Sequence, residues 1–90
     1  MKQKSYCVRP GIVFRKEGKT GLIYDPETGK IDMLNETGAF IWKLCNGKNS
    51  PQDINRKVLK VFSGNKAAIS KQIRVFIKQN IKEKCIEVRP

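Results

Sequence analysis

Lys30-Ile31-Asp32-Met33-Leu34-Asn35-Glu36-Thr37-Gly38-Ala39-Phe40-Ile41-Trp42 changes period halfway along. Up to Leu34, polar and apolar residues alternate, the two-residue period of a strand with one face covered. Beyond it, Phe40, Ile41, Leu44 and Cys45 form the stripe of an amphipathic helix. Asn35 stands at the change, where its short amide can cap the free N–H groups of the first helical turn, and Glu36 complements the positive helix end. Gly47 is placed to end the helix. Thr37 and Gly38 suit a tight helix start, glycine permitting a close backbone approach. Trp42, one position off the stripe, is expected to be a packing residue.

Upstream of this junction the chain reads as strands. Ile12-Val13-Phe14-Arg15 and Gly21-Leu22-Ile23-Tyr24 flank the turn-prone Glu17-Gly18-Lys19, which predicts an antiparallel hairpin. Asp25-Pro26-Glu27-Thr28-Gly29 is a second turn, with proline presetting φ, aspartate bonding the turn backbone and glycine closing it. The three strands then form a meander with the second in the middle and Lys30–Leu34 at an edge.

Downstream, the pattern turns helical. Ser50-Pro51-Gln52-Asp53 carries a cap, a first-turn proline and a capping-box acid. The stripe of this second helix is Ile54, Val58, Val61 and Phe62, and Ser63-Gly64 stops it. A third helix is predicted from about Asn65 to Ile81 with Ile69, Ile73, Phe76 and Ile77 inward. Cys85-Ile86-Glu87-Val88 is a short extended tail. Strands in one half and helices in the other make an α+β fold, expected as one domain over residues 1–90 with its core at about 8–88.

The chain has 90 residues and a formal charge of +11, with no histidine. Seven bases and three acids lie in residues 1–30, two of each in 31–49, and ten bases against three acids in 50–90. Such an excess points to an acidic partner: nucleic acid, an anionic membrane or an acidic peptide. No apolar run is long enough to span a bilayer, and Met1-Lys2-Gln3-Lys4-Ser5 leads into no apolar signal core, so a cytoplasmic location is expected. Cys7, Cys45 and Cys85 are widely spaced without a Cys-x-x-Cys pair, against a zinc or iron–sulfur site. No phosphate loop or nucleophile elbow is present. Asp25 and Glu36 are explained by a turn and a helix start, and Asp32 alone makes no acid–base pair. Neither catalysis nor a metal or cofactor is expected.

The block Leu34-Asn35-Glu36-Thr37-Gly38-Ala39-Phe40-Ile41-Trp42, with Gly47 after it and Arg9-Pro10 before, resembles the signature of the PqqD family. Met33 stands where the family often has an aromatic residue, and Lys84 where it often has glycine. The resemblance implies three antiparallel strands followed by three helices, related to a winged helix-turn-helix. It implies a recognition element that binds the leader of a ribosomally made precursor peptide as an added strand beside the third helix. Family members are fused to maturation enzymes, often radical-SAM proteins, or stand alone, as is expected here.

On that basis the candidate peptide-binding residues are Lys30, Ile31, Asp32, Met33 and Leu34 on the strand, with Lys71, Arg74, Val75 and Lys78 on the third helix. Lys71, Arg74 and Lys78 recur at helical spacing as one basic stripe, either a docking site for an acidic leader or a solvated face. The strand edge is open to a peptide, to the N-terminal arm or to a second copy of the protein. The rival reading is a winged-helix nucleic-acid binder. Against it, a wing would come after the third helix as a hairpin, and the start of that helix lacks a base-reading cluster.

Overall fold

The structure, a computed structural model, describes residues 4–90, so the expectation drawn from Met1-Lys2-Gln3 lies outside the described residues. The elements run β1 (Ser5–Val8), β2 (Val13–Glu17), β3 (Thr20–Asp25), β4 (Lys30–Leu34), α1 (Glu36–Leu44), α2 (Pro51–Val61), α3 (Lys66–Lys82) and β5 (Ile86–Arg89). Strands β2, β3 and β4 form the expected antiparallel meander with β3 central. Its register sets Val13 opposite Tyr24, and Tyr24 opposite Ile31.

The two ends of the chain add a second, two-stranded sheet that the sequence pattern does not predict. β1 pairs antiparallel with β5, Ser5 opposite Arg89 and Val8 opposite Ile86. The other edge of β1 is taken by the loop after α1. There Val8 N–H donates to the Cys45 carbonyl (3.0 Å) and Gly47 N–H to the Tyr6 carbonyl (2.8 Å). Ser5–Val8 is therefore used up at this site and does not cover β4. Beyond α3 the chain forms a single strand paired with β1, not a wing hairpin.

All three helix starts are capped by side chains, at Asn35 and Ser50 as expected and also at Asn65. Asn35 Oδ1 accepts from Gly38 N–H (2.8 Å) and Asn65 Oδ1 from Ala68 N–H (3.0 Å). At α2, Ser50 Oγ accepts from Asp53 N–H (3.1 Å) while the Asp53 carboxylate accepts from Ser50 N–H (3.0 Å), a reciprocal capping box. Those bonds hold the Asp53 carboxyl below its usual pKa.

Helix α1 lies between the sheet and the other two helices, so it buries more than one stripe. Ala39, Ile41, Trp42 and Cys45 are buried, whereas Phe40 and Leu44, expected at the centre, are half-buried. The Trp42 ring stacks on Phe14 of β2 (centroids 6.4 Å apart). The Phe14 ring lies so close over β3 that a Cβ on Gly21 would sit 2.6 Å from it, which is why glycine stands there. Ile54 and Val58 of α2 and Ile69, Ile73 and Ile77 of α3 fill the core as expected. Val61 does not: it is 59% exposed at the last residue of α2. The backbone turns extended at Phe62 and swings its ring edge-on against Phe40 (5.5 Å), so helical periodicity no longer applies.

Helix α3 ends with Lys84 at φ 63°, in the left-handed region that favours glycine. The carbonyl of Lys84 accepts from Arg9 Nε (2.7 Å). The same guanidinium donates to Asp25 Oδ2 (2.7 Å) and Glu27 Oε2 (2.9 Å), clasping the β3–β4 turn to the end of α3. Asp25 also accepts from Glu27 N–H (3.0 Å), the turn bond expected of it.

Candidate functional site

β4 bonds β3 on one side only, with all five of its residues in register from Lys30 opposite Asp25 to Leu34 opposite Gly21. Its other edge has no strand partner among the described residues. An edge of this kind presents unpaired N–H and C=O groups to any chain laid beside it.

Two contacts set this edge against α3. At one end the Lys30 ammonium contacts the carboxylate of Glu83, just past the helix. At the other, Gly38 lies against both Leu34 and Phe76: a Cβ on it would be 3.2 Å from the Phe76 ring and 3.6 Å from the Leu34 Cβ. Lys30 to Leu34 therefore runs antiparallel to the stretch from Phe76 to Glu83, with the open strand edge on one side and the helix on the other. Gly38, expected to permit a close approach, permits that of Phe76. On the helix side are the half-buried Phe76 and, one turn on, the exposed Gln79, which is hydrogen-bonded to Glu83.

The candidate residues divide over this geometry. Ile31 (58% exposed) and Met33 (71% exposed) point to the face of the sheet away from the helices, where they continue an apolar row with Tyr24 and Val13. Lys30, Asp32 and Leu34 point to the helix side. Of these, Leu34 is buried, and Lys30 is paired with Glu83 and with Asp32 (3.7 Å). Val75 is exposed on α3 next to Phe76. Arg74 and Lys78 are on another flank, lining a groove between α2 and α3, and Lys71 is exposed. The basic stripe and the strand edge are therefore two separate surfaces. Phe76 and Gln79 were not among the candidates, because Phe76 reads as core and Gln79 as a solvated polar position.

The thiols are poor candidates for chemistry. Burial pushes the Cys45 thiol up to about 12, with a smaller contribution from Cys7, and burial also raises that of Cys85. Among the described residues no group of three or more His, Cys, Asp or Glu side chains is placed to hold a metal ion. No helix among them is long and apolar enough to cross a membrane.

Among solved structures, the chain is similar to TbiB1 in complex with the TbiA(beta) leader peptide (TM-score 0.78, 17% identity, 90% of this chain and 94% of that one). It is also similar to a lasso peptide synthetase B1 complexed with the leader peptide (TM-score 0.77, 17% identity, 92% and 98%). The heterocyclase TruD matches at TM-score 0.69 and 11% identity, over 96% of this chain but 12% of that one. At such identities the likeness is one of fold. A search among curated proteins gives no match. The model of the family described as coenzyme PQQ synthesis protein D matches residues 21–86, most of the chain, from the second residue of β3 to the first of β5, and the protein belongs to this PqqD family.

Proposed function

We propose that the protein binds the leader segment of a ribosomally synthesised precursor peptide as a fourth strand along β4 and presents it to a modifying enzyme. The observation that carries this reading is the open edge of Lys30–Leu34 running beside the C-terminal half of α3. A strand laid there bonds its backbone to β4. Its side chains alternate between the Ile31/Met33 face and the Phe76 side, which supplies specificity as in other strand-addition sites. The two structures complexed with leader peptides share this fold.

Four or five backbone bonds at about 0.5–1.5 kcal/mol net supply a few kcal/mol, short of the roughly 8 kcal/mol of micromolar binding. Apolar anchors must supply much of the rest. The charge of +11 favours an acidic leader. Lys71, Arg74 and Lys78 stand away from the β4 edge, so their part is long-range steering rather than contact. The enzyme partner is a maturase, with a radical-SAM protein as the family's frequent choice. Three free cysteines suit a reducing cytoplasm.

The test begins beside the gene, where a short acidic open reading frame and a maturase are expected, and the N-terminal segment of that frame serves as titrant. Amide exchange should show protection of residues 30–34 and of α3 exceeding that of α2. Protection confined to α2, or displacement of the peptide by tighter-binding duplex DNA, overturns the proposal.

A further inference from the structure

Away from the β4 edge, the described residues form a groove of about 920 Å³ between α2 and α3, open to solvent. Its apolar floor includes Tyr6, Leu59 and Ile81, all half-buried, and its rim carries Arg56, Arg74 and Lys78. Arg56 is paired with Asp53 (3.2 Å), but among the described residues neither Arg74 nor Lys78 meets a carboxylate. An apolar trough with unpaired cations on its lip offers an amphipathic partner both an apolar seat and charge to match.

We infer that this groove receives an amphipathic, acidic helix of a partner protein. The occupant is helical because both walls are helices whose backbone groups are already bonded internally. A strand in the groove would find no edge to join and would bury unpaired N–H groups, whereas a helix brings its own satisfied. The occupant is acidic because the rim is basic. A second copy of this +11 chain would set like charges together. At 1.5 Å per residue, the eleven residues of α2 make a wall about 16 Å long, which fits roughly three turns of a docked helix. The groove and the β4 edge are separate surfaces, so a peptide on one leaves the other open. A protein that presents a bound peptide to an enzyme needs two such faces. The identity of the donor as the modifying enzyme rests on the function proposed above; the chemistry of the groove does not.

The test uses the full chain and three synthetic helical peptides of about fourteen residues. The first carries leucines at positions i, i+3, i+4 and i+7 and glutamates elsewhere. The second keeps the glutamates but replaces leucine by glutamine, and the third keeps the leucines but replaces glutamate by lysine. Methyl NMR should show the first peptide saturating shifts at Leu59, Ile77 and Ile81, with both controls binding at least tenfold more weakly. Arg74→Glu with Lys78→Glu should weaken the first peptide at least tenfold, and the neutral pair Arg74→Gln with Lys78→Gln should fall between. Ile31→Ser, on the β4 edge, should leave this binding unchanged. The inference is overturned if the leucine-free peptide binds as well as the first, or if the shifts map to the sheet. It is also overturned if sedimentation shows a dimer that loses the groove signals. Loss of leader binding at β4 with the groove response intact would sink the proposed function and leave this inference standing.

Discussion

A proline placed at Ile31 and, separately, at Asp32 divides the two edges of β4. In an antiparallel ladder, consecutive residues direct their N–H groups to opposite sides of the strand. Of these two neighbours, one donates to β3 and the other to the open edge. Proline at the outward position removes one donor from an incoming peptide while sparing the β3–β4 ladder. One bond at about 0.5–1.5 kcal/mol corresponds to roughly 2- to 12-fold in affinity, with stability changed by about 0.5 kcal/mol. Proline at the inward position strands a β3 carbonyl and costs about 1–3 kcal/mol of stability, a large share of what a small domain has. Calorimetric titration with the leader and urea unfolding read the two quantities independently, and Asp32→Ala controls for loss of the Lys30 contact. The expected pattern is one variant deficient in binding and its neighbour deficient in folding. Two folded variants that both bind within about twofold of the parent would refute strand addition at β4, since one lost bond is worth more than that.

Ile73→Ala, at a site 4% exposed, should cost about 2–5 kcal/mol in chemical denaturation; a loss under about 0.5 kcal/mol would mean the site behaves as surface. Lys84→Gly should raise stability by roughly 0.5–1 kcal/mol, since glycine relieves the left-handed strain but loses more chain entropy; a lower urea midpoint would count against it. At pH 8 a thiol reagent should modify the half-buried Cys7 alone, with all three cysteines reacting in denaturant. The folded Cys45 pKa of about 12 exceeds the unfolded value near 9. Its contribution to stability is therefore complete below pH 9 and falls as pH rises from there toward 12, which unfolding curves of the parent and Cys45→Ala would reveal. Lys71→Glu should flatten the salt dependence of leader binding and leave affinity at high salt unchanged.

What could be read in the residues was whatever is set locally. The caps at Asn35 and Ser50, the β3–β4 turn and the meander order all depend on neighbours within a few positions, and all were legible. The β1–β5 pair was not, because Ser5–Val8 finds its partner at the far end of the chain and its four residues carry no distinctive alternation. The face of α1 was half legible. Periodicity locates one stripe, but a helix held between a sheet and two helices buries more than one, which brought in Ala39 and Trp42. Candidate residues on α3 came from charge spacing, and spacing does not say which flank meets β4. Phe76 and Glu83 settle that, and they place Arg74 and Lys78 on another side. The glycine that the family often carries at position 84 is replaced here, yet the backbone keeps the conformation glycine would prefer.

The pairing of β1 with β5 brings Ser5 and Arg89 to adjacent strands, about 5 Å apart. A domain whose two ends meet can be spliced into a host loop without its core being threaded or stretched. It follows that a circular permutant, joined from Arg89 to Ser5 by a short glycine linker and reopened at the exposed Thr28–Gly29 turn, should keep its helices and its core while freeing the tip of the β3–β4 hairpin.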